Sequence, residues 1–191
     1  MNSISFIRAE LLAAISRGVR QCVLIGSRPL LPEAFESSPE EGVQVFAVDE
    51  ERPPDSPATF VPTQFASETL AMALEKTSFD KRKASLFVWL GGAGYRTLEA
   101  AVSSLAFIAS LPGGSGVVLD YAAERTSVGS LTDTALDALA SRISVAGGSI
   151  IHLIQPQALA AMLQSLGFQS VVDLAQEEPM VSGGHLVSAV I

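Results

Sequence analysis

One cysteine, two histidines and one tryptophan are all that this chain of 191 residues holds of the side chains most often spent on redox, metal and stacking chemistry. Cys22 stands alone, so an internal disulfide and a CxxC motif are both excluded, and its place at the start of an apolar strand suits a small buried hydrophobe. His152 and His185 lie on or near apolar strands with no second ligand at metal spacing; packing is expected for both, and no metal site. Basic charge is scarce as well. Twelve Lys and Arg stand against 20 Asp and Glu, for a net charge of -8. The only basic cluster, Lys81, Arg82 and Lys83, sits directly ahead of a strand and reads as a solvated loop, so no nucleic-acid partner is expected. No apolar run reaches the ~18 residues that span a bilayer. The first residues lack the basic head, unbroken apolar core and cleavage site of a signal peptide, and place Arg8, Glu10, Arg17 and Arg20 at helical spacing instead. No membrane partner and a cytoplasmic location are therefore expected. P-loop and nucleophile-elbow motifs are missing. No repeat and no domain boundary is visible, so residues 1–191 are expected to form one domain.

What the chain does have is apolar content. Hydrophobic residues make up 48% and charged residues 17%, and the mean hydropathy is +0.38. Disorder is excluded by such a composition, and a parallel sheet buried on both faces accounts for it without a membrane. From Ser3 to Arg17, Ile4, Ile7, Leu11, Ala14 and Ile15 recur at helical spacing, and Gly18 ends that helix. Gln21 to Ile25 is a short apolar strand closed by Gly26. The prolines of SRPLLPEAFESSPEEG leave room for at most a short helix around Glu33 to Ser37. Strands follow at Val43 to Val48, ending on Asp49, and at Thr59 to Val61. Ser67 reads as the N-cap of a helix through Lys76.

The strongest pattern is Ala84 to Tyr121: a buried strand, a glycine-rich crossing, a helix, a turn and a second buried strand. Thr97 caps the helix through Leu111, with Leu98, Val102, Leu105, Ile108 and Ala109 on one face. This is one βαβ unit of an open parallel sheet, whose ligands bind at the carboxyl ends of the strands. GGAG at Gly91 to Gly94 follows the fourth strand rather than the first and matches a dinucleotide fingerprint only weakly. A helix is expected over Leu131 to Ile143. A second runs from Pro156 to Leu166, with Leu159, Met162, Leu163 and Leu166 as its apolar stripe and Gly167 as its C-cap. Phe168 to Leu174 and His185 to Ile191 have no long helix between them and should pair antiparallel. The expected fold class is α/β: a doubly wound, mostly parallel Rossmann-like sheet of about seven strands with an antiparallel C-terminal pair.

Four blocks (QCVLIGSR, VFAVDE, LFVWLGGAGYRTLEAAVSSLAFIASLPGGSGVVLDY and LIQPQALAAMLQSLGFQSVVDL) together resemble the leucine carboxyl methyltransferase family of S-adenosylmethionine-dependent O-methyltransferases. The resemblance runs from about Arg8 onward. It implies a class I methyltransferase domain with S-adenosylmethionine held over the first four strands. Gly26, Ser27, Asp49, Gln64, Phe65, Leu90 and Gly91 fall where that family has its cofactor contacts, and Tyr95 matches a tyrosine a few residues further on. By this reading Asp49 accepts from both ribose hydroxyls, Gln64 accepts from the adenine amino group, and Phe65 packs on the adenine ring. Read without the resemblance, Gly26 is a turn residue and Asp49 a strand-ending turn residue.

The chain departs from the family pattern at several points. Where the family reads Gly-x-Gly in its first turn, this chain reads Gly26, Ser27, Arg28, Pro29. Where the family has Trp-Glu-Gly, it reads Trp89, Leu90, Gly91. One helix precedes the first strand, where family members carry a longer segment forming a lid. Two functions are thus implied. One is methyl transfer to a small carboxylate or hydroxyl acceptor, with no catalytic base assigned. The other is a non-catalytic methyltransferase-fold subunit that binds or dimerises; a homodimer covering exposed apolar surface is expected in either case. A nicotinamide-dependent oxidoreductase would need a glycine fingerprint that IGSRPL does not supply. If Arg28 fills the cofactor's place, Arg28→Gly raises S-adenosylmethionine affinity in calorimetric titration, and an unchanged affinity removes that explanation.

Overall fold

A computed structural model describes residues 3–26, 42–52, 57–65, 67–90, 98–123, 152–175 and 184–191. Its elements in chain order are α1 (Ser3–Ser16), β1 (Gln21–Ile25), β2 (Gln44–Asp49), β3 (Thr59–Pro62), α2 (Leu70–Glu75), β4 (Ser85–Trp89), α3 (Leu98–Ala109), β5 (Gly116–Ala123), β6 (His152–Ile154), α4 (Pro156–Leu166), β7 (Ser170–Ala175) and β8 (Gly184–Val190). The strands form one sheet in the order β3-β2-β1-β4-β5-β8-β7, with β6 beside β5. β1 pairs parallel with β2 on one side and β4 on the other. β8 runs antiparallel to both β5 and β7. This is the doubly wound, mostly parallel architecture with an antiparallel C-terminal pair that the sequence implies. The expected helices at Glu33 to Ser37 and Leu131 to Ile143 lie outside the described residues.

The short strand β6 was not legible in the sequence. It pairs parallel with the last residues of β5, Ala122 opposite His152 and Ala123 opposite Ile154. Ala122 already pairs with Gly184 of β8 on its other edge, so β6 takes the edge that β4 vacates after Trp89 meets Leu119. Three residues, with Pro156 just beyond them, carry too little periodicity to be read as a strand.

Strand residues alternate between two cores because successive side chains point to opposite faces. Val23, Ile25, Phe87, Trp89, Val117 and Leu119 face one core with Leu70, Ala73 and Leu74 of α2, Leu105 and Ile108 of α3, and Leu159 and Leu163 of α4. Cys22, Leu24, Leu86, Val88 and Val118 face the other, with Phe6, Ile7, Leu11 and Ala14 of α1. Burial pushes the Cys22 thiol up to about 12, in keeping with a small core residue. Phe6 joins the buried stripe of α1 while Ile4 and Ile15 are only half-buried. In α3 the stripe is rotated from the expected one: Ala101, Ser104, Leu105 and Ile108 are buried, whereas Val102 and Ala109 are half-exposed. Ser104 satisfies its hydroxyl on Ala100 O at 3.0 Å, so a polar residue can occupy the buried face.

Two caps also differ in detail. Thr69, not Ser67, is the N-cap of α2, its hydroxyl accepting from Met72 N at 3.3 Å. A helix entering after Gln64 and Phe65 has a turn to complete first: Ser67 N and Glu68 N both donate to Gln64 O at 2.9 Å. Gly167 closes α4 in the left-handed region.

A polar network ties the amino ends of the central strands. Gln21 donates to Asp80 O at 2.9 Å and to Ser85 Oγ at 3.0 Å, and accepts from Asp80 N at 2.8 Å. Ser85 N donates to Ser115 Oγ at 3.1 Å. The buried amide and hydroxyls therefore pair with one another, as burial requires. Above them Phe79 meets Phe46 and Phe87 edge-on, with centroids 5.7 and 6.1 Å apart. The basic cluster is exposed, as expected, and Arg82 folds back on Asp80 at 3.0 Å. Among the described residues no helix is long and apolar enough to cross a membrane.

At Gly116 the backbone of β8 comes close to β5. A Cβ there would lie 2.7 Å from Ala189 O and 3.3 Å from Val190 Cγ2. Gly116→Ala must separate β5 from β8, and a loss of about 1–3 kcal/mol in denaturant unfolding is expected. An unchanged midpoint would contradict the close approach.

Candidate functional site

The order of the sheet reverses between β1 and β4, since the chain leaves β1 toward β2 and β3 and later returns to β4 on the other side. At such a switch the loops diverge and leave a crevice at the carboxyl ends of the strands. The backbone bonds continue one residue past the strands on this edge. Gly26 N donates to Val48 O at 3.2 Å, Leu90 N to Ile25 O at 3.3 Å, and Thr63 N to Asp49 O at 3.1 Å. Gly26, Asp49, Leu90 and the start of the turn after β3 are thereby held at one level of the sheet.

Gly26 has φ +60°, the left-handed region where a Cβ is unfavourable. Its N–H is engaged with Val48, so what it offers a ligand is a sharp turn and room for close approach. Asp49 is 9% exposed. Its Oδ1 accepts from Glu50 N at 2.7 Å, which fixes the carboxylate at the mouth of β2. Gln64 is exposed one residue beyond Thr63. Phe65 is buried in the core that includes Val48, Val61 and Leu70. Leu90 is 2% exposed and belongs to the core on the α1 face; only its backbone faces the edge. Ser27 and Gly91, together with Arg28 and Tyr95, lie outside the described residues. The structure thus brings Gly26, Asp49 and the Leu90 backbone together, with Gln64 beside them at the end of β3.

Sequence reasoning missed two supports of this edge. Thr63 is 4% exposed and donates from Oγ1 to Glu68 Oε2 at 3.2 Å, while Lys76 bonds the other Glu68 oxygen. Lys76 first, with Thr63 adding to it, holds the Glu68 carboxyl below its ordinary range. The pair brackets the turn that carries Gln64 and Phe65. The second is a cluster at the ends of β5, β7 and β8. Tyr121 Oη donates to Asp173 Oδ2, and His185 Nδ1 lies 2.8 Å from Asp173 Oδ1. His185 is therefore not packed as an apolar residue. No periodicity could have shown this, because the three residues meet only through strand register. Among the described residues there is no group of three or more His, Cys, Asp or Glu able to hold a metal.

No protein-family model matches the chain, and no curated protein matches it. Solved structures do resemble it. A SAM-dependent methyltransferase from Archaeoglobus fulgidus aligns with 100% of this chain and 95% of its own length, at TM-score 0.55 and 16% identity. An O-methyltransferase family protein from Burkholderia thailandensis aligns with 98% of this chain at TM-score 0.57 and 11% identity; the chain spans 54% of that protein's length. A third, described as a pericyclic reaction enzyme, aligns with 97% of this chain and 47% of its own at TM-score 0.54 and 14% identity. At such identities the likeness shows the fold: the chain has the class I methyltransferase form of the doubly wound sheet. The third neighbour illustrates that the fold alone does not dictate the reaction.

Proposed function

We propose that the chain is an S-adenosylmethionine-dependent methyltransferase, akin to the leucine carboxyl methyltransferases, that transfers a methyl group to a small carboxylate or hydroxyl acceptor. The observation that carries the reading is the pairing of Asp49 and Gly26 at one level beside the β1/β4 switch, in a fold shared with SAM-dependent enzymes. The residues present fit the cofactor. Asp49 presents a carboxylate whose orientation is set by Glu50 N and which suits a pair of vicinal ribose hydroxyls. Gly26 and the backbone of Leu90 stand at the strand ends that a methionine moiety would approach. Gln64 offers a side-chain carbonyl to the adenine amino group, and Phe65 is the aromatic ring nearest in sequence to that position. The bound sulfonium would supply an already activated methyl group; the protein's share is to orient and to exclude water.

A second reading is favoured by one observation. Leu90 stands where the resembled family has a carboxylate, and its side chain is built into the core of the opposite face. A chain that has replaced a cofactor contact by a core residue suits a non-catalytic binding or dimerising subunit. Calorimetric titration with S-adenosylmethionine and S-adenosylhomocysteine separates the two. Micromolar binding, weakened about tenfold or more in Asp49→Asn through loss of a charged hydrogen-bond acceptor, is the outcome expected here. No heat at millimolar ligand, with an unchanged melting temperature, leaves only the second.

Homodimerisation belongs to both readings. β7 is a sheet edge, and Val172 on it is 51% exposed, which favours a partner covering that side. Light scattering at micromolar concentration is expected to report twice the mass of one chain; the mass of one chain alone would remove the dimer.

A further inference from the structure

We propose that Tyr121, Asp173 and His185 form the proton-accepting end of the acceptor pocket, with His185 as the base, and that they select a phenol- or enol-type hydroxyl over a carboxylate. The inference rests on the methyltransferase reading above and narrows its acceptor.

The placement follows from register. Ile25, Trp89, Leu119, Val187 and Asp173 are successive partners across β1, β4, β5, β8 and β7, so their side chains share one face. Tyr121 and His185 are partners two residues further toward the carboxyl edge, on that same face. They therefore stand just beyond the level of Gly26 and Leu90, above the point where β4 has ended. Neighbouring strands are ~4.8 Å apart, which sets β5 roughly 10 Å and β8 roughly 14 Å from β1. A cofactor lying over β1 and β2 would direct its reactive end toward these two strands.

The chemistry of the cluster is ordered from the core outward. Tyr121 is 1% exposed. Burial first, and then the bond to Asp173, push its hydroxyl well above the ordinary value, so it remains a donor and pins Asp173 Oδ2. Asp173 Oδ1 holds His185 Nδ1 at 2.8 Å, with Tyr121 Oη 3.4 Å from the same nitrogen and the two rings 5.2 Å apart. A neutral imidazole bonded in this way carries its proton on Nδ1 and its lone pair on Nε2. Tyr121 and Asp173 alone would tie β5 to β7. His185 adds a ring that is oriented and still reachable, its side chain 24% exposed.

Such a base discriminates between acceptors. A carboxylic acid ionises near ~4 and needs no base at neutral pH, whereas a phenol ionises near ~10 and does. An anionic carboxylate would also meet the Asp173 charge. In the proposed step the acceptor oxygen forms the new O–CH3 bond as the S–CH3 bond breaks, the electron pair of that bond returning to sulfur. The hydroxyl proton passes to His185 Nε2 and leaves to water after product release. Tyr121 and Asp173 act as positioning residues.

The test uses the full chain, S-adenosylmethionine, and four probes: phenol and catechol as hydroxyls, benzoate and phenylacetate as carboxylates. S-Adenosylhomocysteine release is expected with a hydroxyl probe, and His185→Gln should lower kcat about 100-fold, the usual weight of a positioned base, with S-adenosylmethionine affinity unchanged. Independently of turnover, nitrogen NMR of the two histidines should show His185 as a single Nδ1–H tautomer. That signature should be lost in Asp173→Asn, and Nε2 should shift when catechol is added to protein loaded with S-adenosylhomocysteine. Release only with carboxylate probes, or with none, overturns the proposal. So does unaltered kcat in His185→Gln, or an Nε2 that ignores catechol while Asp173→Asn merely lowers the melting temperature. Absence of nucleoside binding in the titration would remove the methyltransferase reading itself, and this inference with it; binding followed by any of the other failures removes this inference alone.

Discussion

The structure depends on the unbroken backbone pairing of β1 with both its neighbours. Each residue from Gln21 to Ile25 has a partner on β2 and another on β4, so neither edge of the strand is left to slip. Because side chains alternate with a period of two, this register places Val61, Val48, Ile25, Trp89, Leu119 and Val187 in one row on one face. A slip of one residue would turn that row to the other core. The helices on that face pack against the row, and Gly26 and Leu90 lie at the next level above it.

That dependence explains why the two ends of the sheet differ. At the amino ends, Gln21, Ser85 and Ser115 satisfy one another and the Phe46, Phe79 and Phe87 rings close over them. At the carboxyl ends the chain instead places polar groups set by short turns: Asp49 held by Glu50 N, and Gln64 in a turn bracketed by Thr63, Glu68 and Lys76.

The two readings of function turn on the same edge. Asp49 and Gly26 stand at one level of the carboxyl edge, whereas the side chain of Leu90 belongs to the core of the α1 face. The Tyr121–Asp173–His185 cluster lies outside that comparison, since it joins β5 to the antiparallel pair of β7 and β8.

Sequence alone determined the class of fold, because buried strands, glycine-closed turns and helical periodicity are local properties: Gln21 to Ile25 and Pro156 to Leu166 have the same bounds in the structure as in the pattern. It also marked Gly26 and Asp49, which stand at the carboxyl ends of β1 and β2. It did not reveal β6, whose three residues carry too short a pattern, nor the rotation of the buried stripe in α3, which depends on what the helix packs against. Least of all could it bring Tyr121, Asp173 and His185 together. They are 52 and 64 residues apart from the tyrosine, and only the register of three strands decides that they share a face. Strand existence is written locally; strand partnership is decided by tertiary pairing.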